Sequence, residues 1–282
     1  MKISVIIPSF NQGAWIRETL DSVLEQNWNN IEIIVIDGGS NDNTLEVLTR
    51  YKKHLSYYHS KPDKGQADAV NQGIAKASGD IICWLNSDDL LCKDAFAVVA
   101  EALSIDCDAV YGSWLWANSD LTRFSIDRAP RDIKVEDFSA GHCLLNQPSI
   151  FTKRSTWDKV GPLNENLHYA LDYEWLVRFF LKGLKCAEVK RPLAINRVHA
   201  SMKSMDDKLR QEKIQVAKEI FGTDFSSANT ILELFGSSVF RRYPITHLLG
   251  LAYKKAFSKY TTRPGIPIPA VYAQTFLSSK SS

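Results

Sequence analysis

The chain has 282 residues, 45% of them hydrophobic and 23% charged, and its five cysteines form no CxxC pair and no zinc-ligand spacing. These proportions exclude a disulfide miniprotein, a collagen-like or coiled-coil chain and a disordered one, and leave one large or two small domains. A formal charge of +2 excludes the basic balance that a nucleic-acid-binding domain carries. In chain order, Ile3 to Ile7 and Ile31 to Ile36 are β-branched runs that end in Pro8 and Gly38-Gly39, as strands buried on both faces do. Between them Trp15, Ile16, Leu20, Val23 and Leu24 recur at helical spacing, and Ser40 to Thr44 reads as the cap region of a helix bearing Leu45, Val47 and Leu48. A strand at Leu55 to His59, a helix of small residues at Gln66 to Ala77 and a strand at Asp80 to Leu85 continue the alternation. That pattern predicts an α/β fold with a mostly parallel sheet flanked by helices.

A helix near Asp94 to Leu103 and a strand near Ala109 to Leu115 follow, then irregular structure with short strands over 117–146. The helical signal returns at Ser155 and is strongest at Leu171 to Leu181, while Cys186 to Val189 and Leu193 to Val198 read as two strands. Ser204 to Phe221 reads as a charged helix, 228–260 as two more helices, and Pro264, Pro267 and Pro269 as an extended tail. No run approaches the roughly 18 apolar residues of a membrane span, and Met1 leads into the first strand without a signal-peptide core, so the thiols read as reduced and the chain as cytoplasmic. From Arg241 onward there are seven basic residues and no acidic one, and Ile245, Leu248, Leu249, Ala252 and Ala256 share a helical stripe. Residues 241–260 therefore read either as a peripheral membrane contact or as a packing helix with its basic side exposed.

In doubly wound sheets ligands bind beyond the carboxyl ends of the strands. Those ends are polar here: Pro8-Ser-Phe-Asn-Gln12, Asp37-Gly-Gly-Ser40, Lys61-Pro-Asp-Lys-Gly-Gln66 and Asn86-Ser-Asp-Asp89. Asp88 and Asp89 after an apolar strand repel each other unless a cation joins them, and a hard divalent ion bridging to phosphate oxygens suits them. The alternative is that one of them caps the helix containing Phe96 to Ala100. No G-x-G-x-x-G follows the first strand and no G-x-x-x-x-G-K-[ST] loop occurs, which sets aside dehydrogenases and P-loop enzymes. An acid at Asp172 or Glu174, about 200° apart on one helix, can put only one carboxylate into a cleft; the bland reading is an amphipathic helix with Leu171, Trp175 and Phe179 inside.

Ser4-Val-Ile-Ile-Pro-Ser-Phe-Asn11, Ile36-Asp-Gly-Gly-Ser40, Asp63-Lys-Gly-Gln-Ala-Asp-Ala-Val-Asn-Gln-Gly73, Trp84-Leu-Asn-Ser-Asp-Asp89 and Ala170-Leu-Asp-Tyr-Glu-Trp-Leu-Val-Arg178 resemble, in order, the signatures of family 2 glycosyltransferases. The resemblance implies a GT-A fold with a Rossmann-like sheet, a nucleotide-diphospho-sugar donor, Mg²⁺ or Mn²⁺, and inversion at the anomeric carbon. It assigns Asp37, Pro8 and Ser9 to the base pocket, Asn86 and Ser87 to the donor with Asp88 on the metal, and Lys64, Gln66 and Asp68 to the loop beside the nucleotide. Gln147, in Gln147-Pro148, falls at the donor sugar or acceptor cleft, His199 near the metal or the diphosphate, and Asp172 at the general base. The family's first metal-site acid is Asn86 here, and the often acidic position before the base is Leu171.

The expected organisation is a catalytic domain over 1–204, with a nucleotide part to about 115 and an acceptor part over 116–204, and a helical C-terminal extension over 205–282. The expected function is transfer of a hexose or N-acetylhexosamine from a UDP-sugar to a glycan or lipid-linked glycan in surface-polysaccharide synthesis. Two rivals are an inactive nucleotide-sugar-binding partner subunit and a sugar nucleotidyltransferase; the second needs an Arg- and Lys-bearing loop after the first strand, and Pro8 to Gly13 has neither residue.

Overall fold

The computed structural model describes residues 1–103, 106–139, 141–203, 206–222 and 266–268. Its first half is the alternation β1 (Ile3–Ser9), α1 (Ile16–Leu24), β2 (Ile31–Asp37), α2 (Thr44–Tyr51), β3 (Tyr57–Ser60), α3 (Gln66–Lys76) and β4 (Ile81–Trp84). These strands pair in parallel, with β1 between β2 and β4 in registers Ser9↔Asp37 and Ile6↔Trp84. Every residue of β1 is buried because successive side chains enter two different cores. Ile3, Val5 and Ile7 meet Ile16, Leu20 and Val23 of α1 on one face, and Ile6, Ile34 and Ile82 meet Ala67 and Val70 of α3 on the other. The small residues of α3 let it lie close on the sheet: a Cβ on Gly73 would stand 2.3 Å from Ile6 Cγ2.

The second half adds β5 (Leu90–Leu91), α4 (Ala95–Ala102), β6 (Ala109–Asn118), β7 (Phe124–Asp127), β8 (Ile150–Lys153), α5 (Arg154–Val160), α6 (Leu171–Leu181), β9 (Cys186–Val198), α7 (Asp207–Phe221) and β10 (Ile266–Ile268). The sheet order is β10-β7-β6-β8-β4-β1-β2-β3, with β9 parallel to β6 and antiparallel to β5. Strand β8 runs antiparallel to β4 and β6, so the parallel half passes into a mixed half at that point. Helices α6 and α7 close the α3 face, where Leu176 of α6 and Val216 and Ala217 of α7 are buried together.

Three details differ from the expectations or decide between them. The stretch 186–198 is one strand rather than two, since its pairing with β6 shifts register around Gly112, Ser113 and Trp114 without breaking. Room for that shift comes from Gly112, where a Cβ would stand 2.6 Å from the Arg191 carbonyl oxygen. The cap position of α4 is Asp94, and β5 lies between it and Asp89, so neither Asp88 nor Asp89 caps that helix. Within the tail Ile266–Ile268 is extended and pairs with β7, with Pro267 on the sheet edge where a missing N–H is tolerated. The helices expected over 228–260, and with them the basic stripe of 241–260, lie outside the described residues. No helix among the described residues is long and apolar enough to cross a membrane, and all five cysteines are free thiols.

Candidate functional site

A cleft of roughly 860 Å³ opens over the carboxyl ends of β1 and β4, and Ser9, Asp63, Asp88, Asp172 and Lys203 are among the residues that line it. The loop after β1 is stitched to the loop after β2. Asn11 donates its N–H to Ser40 Oγ at 2.7 Å, its Oδ1 accepts from Asn41 N at 2.9 Å, and Gln12 N donates to Thr44 Oγ1 at 2.9 Å. Asp37 is fully buried beneath these loops. Its carboxylate accepts from Ser40 N at 2.9 Å, Gly39 N at 3.2 Å and the Ser60 hydroxyl at 2.6 Å, so its oxygens hold the loop and do not line the cleft. The carboxyl that does face the cleft here is Asp63, whose Oδ1 accepts from Gly65 N at 2.8 Å. Burial pushes the Asp63 pKa up. Gly38 makes room for it, since a Cβ there would stand 2.8 Å from Asp63 Oδ2.

The segment after β4 carries the most interlocked part of the site. Asn86 Oδ1 accepts from Gln66 Nε2 at 2.8 Å and Trp84 Nε1 at 3.1 Å, while its Nδ2 donates to Asp89 Oδ2 at 3.2 Å. That donation explains an amide at this position, because an aspartate has no hydrogen to offer a buried carboxylate. Burial, and then the neighbouring Asp88 charge, push the Asp89 pKa well up. Asp88 stays at the cleft, where its Oδ2 lies 3.0 Å from His199 Nε2, and His199 Nδ1 lies 3.0 Å from Ser201 Oγ. The His199 ring stacks on Trp15 at 5.2 Å.

Behind this pair stands Arg197, 1% exposed. Its guanidinium donates to the Asp88 carbonyl at 3.1 Å, the Ser119 carbonyl at 2.7 Å and Glu18 Oε2 at 2.7 Å, and it lies 4.8 Å from the Trp15 ring centre. A buried guanidinium is tolerable only when its donors are met and its charge is paired. Here the partners are the loop that carries Asp88, the loop after β6 and helix α1.

Asp172 sits in the first turn of α6, lines the cleft, and accepts from Tyr173 N at 2.7 Å. Glu174 is held by Arg178 at 2.7 Å and does not line the cleft. The first turn of α6 has no side-chain cap of its own. Glu212 of α7 instead holds the segment that leads into it, accepting the N–H groups of His168 at 3.0 Å, Tyr169 at 2.6 Å and Ala170 at 2.5 Å. Gln147 lines the cleft with its Nε2 donated to the Trp84 carbonyl.

Pro8, Ser9, Gln66, Asn86, Ser87, Asp88, Gln147 and Asp172 are thus brought to one cleft, with His199 on Asp88. Lys64 is not among its lining and ion-pairs with Glu165 at 3.2 Å, and Asp68 holds the Lys64 N–H at 3.0 Å. Residues that sequence reasoning passed over are Asp63, Arg197, Lys203 and Glu212. Lys203 follows His199 by four positions, a signal that was readable; its ammonium donates to Gln66 Oε1 at 3.2 Å. Burial pulls its pKa down, against the charges of Asp63, Glu212 and Asp88. Six buried polar side-chain atoms lack a hydrogen-bond partner among the described residues, on Ser9, Gln12, Trp114, Asn146, Gln147 and Asn196. All six residues line this cleft. Orphaned buried groups are costly, and here they converge on one cavity.

Solved structures with this architecture are GT-A glycosyltransferases. Staphylococcus aureus TarS 1–349, in complex with UDP-GlcNAc, superposes with a TM-score of 0.63 at 17% identity, over 92% of this chain and 78% of that one. The mannosyltransferase PcManGT from Pyrobaculum calidifontis, in complex with GDP-Man and Mn²⁺, does so with a TM-score of 0.62 at 18% identity, over 97% and 78%. The model of glycosyl transferase family 2 matches residues 4–161, and the chain belongs to that family. An uncharacterized glycosyltransferase of Mycobacterium tuberculosis is 35% identical over 178 residues, 62% of this chain and 68% of its own. A PGL/p-HBAD biosynthesis glycosyltransferase of Mycobacterium bovis is 29% identical over 186 residues, 63% and 69%.

Proposed function

We propose that this chain transfers a hexose or N-acetylhexosamine, with inversion, from a nucleotide-diphospho-sugar to a hydroxyl of a glycan or lipid-linked glycan, with UDP-sugars the first donors to test. The observation that carries the reading is the cleft itself, where Asp88 and Asp172 stand among polar groups that have no partner among the described residues. Pro8, Ser9 and Asp63 form the wall for the base, and Asp37 acts beneath it by fixing the Gly39 and Ser40 amides. Residues 1–115 hold the donor and 116–204 the acceptor, and α7 belongs with them through Glu212 and its buried Val216 and Ala217.

The donor set at Asp88 and His199 fits a divalent cation. Two cis ligands of an octahedral ion at about 2.1 Å stand about 3 Å apart, and Asp88 Oδ2 and His199 Nε2 are 3.0 Å apart. No cluster of three or more His, Cys, Asp or Glu residues suited to a metal occurs among the described residues, so the remaining ligands would be diphosphate oxygens and water. A bound Mg²⁺ or Mn²⁺ supplies positive charge to the departing diphosphate. Lys203 adds a cation on the same side. Asp172 accepts the proton of the acceptor hydroxyl as its oxygen bonds to the anomeric carbon and the bond from that carbon to the diphosphate oxygen breaks. The cleft walls hold the reactants in line, which removes an entropic part of the barrier.

Calorimetric titration with UDP, GDP and dTDP, each with and without Mn²⁺, tests the reading on the wild-type chain and Asp88→Ala. Metal-dependent binding of one nucleotide, weakened by the substitution, is the expected result. A folded chain that binds none of them overturns the donor site and favours a protein without transferase turnover.

A further inference from the structure

A second cavity, of roughly 30 Å³, lies between the sheet and helices α5 and α6, and shares Trp84, Gln147 and Asp172 with the cleft. One wall is the α6 side of β4 and β8. Ile82 stands opposite Thr152 in their antiparallel pairing, and Trp84 and Ile150, two residues along each strand, share that face. Trp157 of α5 and Trp175 and Leu176 of α6 form the rest of the lining. Asp172 reaches the cavity because Trp175 and Leu176 follow it by three and four positions and so share its side of the helix. A space of this size admits water and is far too small for a sugar ring or a nucleobase.

Most of the lining is apolar, so its uncommitted polar atoms decide whether the cavity is wet. The three indole N–H groups are taken: Trp84 donates to Asn86 Oδ1 at 3.1 Å, Trp157 to Thr152 Oγ1 at 2.9 Å and Trp175 to the Gly161 carbonyl at 2.9 Å. Three groups are left. Gln147 Oε1 is buried without a partner among the described residues, and it is turned away from the Trp84 carbonyl, to which Nε2 of the same amide donates. Asp172 Oδ1 accepts from Tyr173 N, and among the described residues Oδ2 has no partner. Thr152 Oγ1 accepts from the Trp157 indole, which fixes it on the cavity side, and among the described residues its own hydrogen meets no acceptor. Two acceptors and one donor are the complement of a single water, which offers two hydrogens and accepts at its oxygen. A buried amide oxygen left unmet is costly, and a water making three hydrogen bonds removes that cost.

We propose that this cavity holds a structural water that accepts from the Thr152 hydroxyl and donates to Gln147 Oε1 and Asp172 Oδ2, which makes Thr152 a positioning residue for Asp172. The water ties the first turn of α6 to β8 and fixes the Asp172 carboxylate from the side away from the cleft. A carboxylate oxygen has more than one lone pair, so Oδ2 holds the water and still receives the proton of the acceptor hydroxyl. The water itself stands on the cavity and its polar atoms alone. Its effect on turnover rests on the proposed role of Asp172 as the base.

Two measurements on the full chain test this. The crystal structure of the wild type is expected to show an ordered water within about 3.2 Å of Gln147 Oε1, Asp172 Oδ2 and Thr152 Oγ1, and crystals pressurised with xenon are expected to hold no xenon there. An absence of solvent density in the cavity, or xenon in its place, overturns the water. Turnover is read as UDP or GDP released, with Mn²⁺, from UDP-glucose, UDP-N-acetylglucosamine or GDP-mannose, with water as the acceptor. Thr152→Val keeps the shape of the side chain and removes the hydroxyl, while Thr152→Ser keeps the hydroxyl. Because valine also takes the acceptor from the Trp157 indole, rates are counted per folded molecule. Thr152→Val is expected to lower kcat by about fivefold, the worth of one net hydrogen bond, with donor KM and nucleotide Kd unchanged, and Thr152→Ser to retain the wild-type kcat. A wild-type kcat in Thr152→Val, or an equal loss in both variants, overturns the positioning role. A wild type that releases no nucleotide is a different result: it overturns the transferase reading, and the crystal structure still decides the water.

Discussion

Each carboxylate in or near the cleft takes its role from what already occupies its oxygens. Asp37 is saturated by amides and hydroxyls, Asp89 is buried against Asn86 and the Arg197 N–H, and Glu174 is tied to Arg178. Among the described residues Asp172 has only the N–H next to it. Asp172→Asn is therefore expected to lower the transfer rate by about 10²–10⁴-fold while nucleotide affinity stays at the wild-type value, measured by turnover beside calorimetry. Asn86→Asp restores the family's acid and removes the donor to Asp89. It is expected to cost about 1–3 kcal/mol of stability in thermal unfolding, and Mn²⁺ should recover more of that loss in the variant than it adds to wild type, because the cation offsets the extra negative charge.

The sequence exposed the polar strand ends and their order, and with them Ser9, Asn86 and Asp88, because such residues follow directly on apolar runs, while Asp172 came from the family resemblance. It could not separate Asp37 from Asp63. Both follow strands, both are acidic, and only the packing of Gly38 against Asp63 shows which carboxyl reaches the cleft. Lys64 stands outside the cleft lining for a related reason: the motif fixes its place on the loop, but the side chain finds Glu165, a hundred residues on, which no local pattern discloses.

At the scale of elements, helix α6 depends on a helix distant in sequence. The N–H groups of the three residues that lead into its first turn, His168, Tyr169 and Ala170, all end on the carboxylate of Glu212. A negative charge at a helix N-terminus also opposes the end of the helix dipole. Glu212→Ala is expected to destabilise the chain by about 1–2 kcal/mol and to lower kcat with little change in nucleotide affinity, since the first turn carries Asp172. Equal kcat in the two proteins would show that Asp172 does not need this anchor. Elements were otherwise legible in proportion to their regularity. The strands β1, β2 and β4 and helix α6 fell where apolar periodicity put them, and β9 was misread as two strands because Pro192 interrupts the pattern while the pairing with β6 continues.

Over the whole molecule, chemistry and stability occupy opposite ends of the sheet. The carboxyl ends of the strands carry the cleft, and the amino ends carry a polar clamp on Glu32, which accepts from Lys2 Nζ, Ser78 N and Ser78 Oγ, each at 2.8 Å, and from the Ser4 hydroxyl. Burial pushes the Glu32 pKa up, but these hydrogen bonds outweigh it and bring the group down to about 2. A carboxyl depressed on folding contributes stability above its unfolded value, about 4.5, and loses that contribution as pH falls towards about 2. Glu32→Gln is expected to cost about 2–3 kcal/mol at pH 7, with the difference from wild type shrinking between pH 4.5 and pH 2 in denaturant titrations. Activity per folded molecule should not change, because the clamp lies at the end of the sheet away from the cleft.

The bond between Arg197 and Glu18 spans 179 positions of the chain, and this has a consequence for how the protein is made. Synthesis delivers α1 and the loop bearing Asp88 long before β9, so a nascent chain that has emerged only through β4 carries Asp88 without His199 beside it and without Arg197 behind it. Contacts of such separation slow folding. The Asp88–His199 pair accordingly cannot form until β9 has been made, and a chain that ends before it is born without the pair.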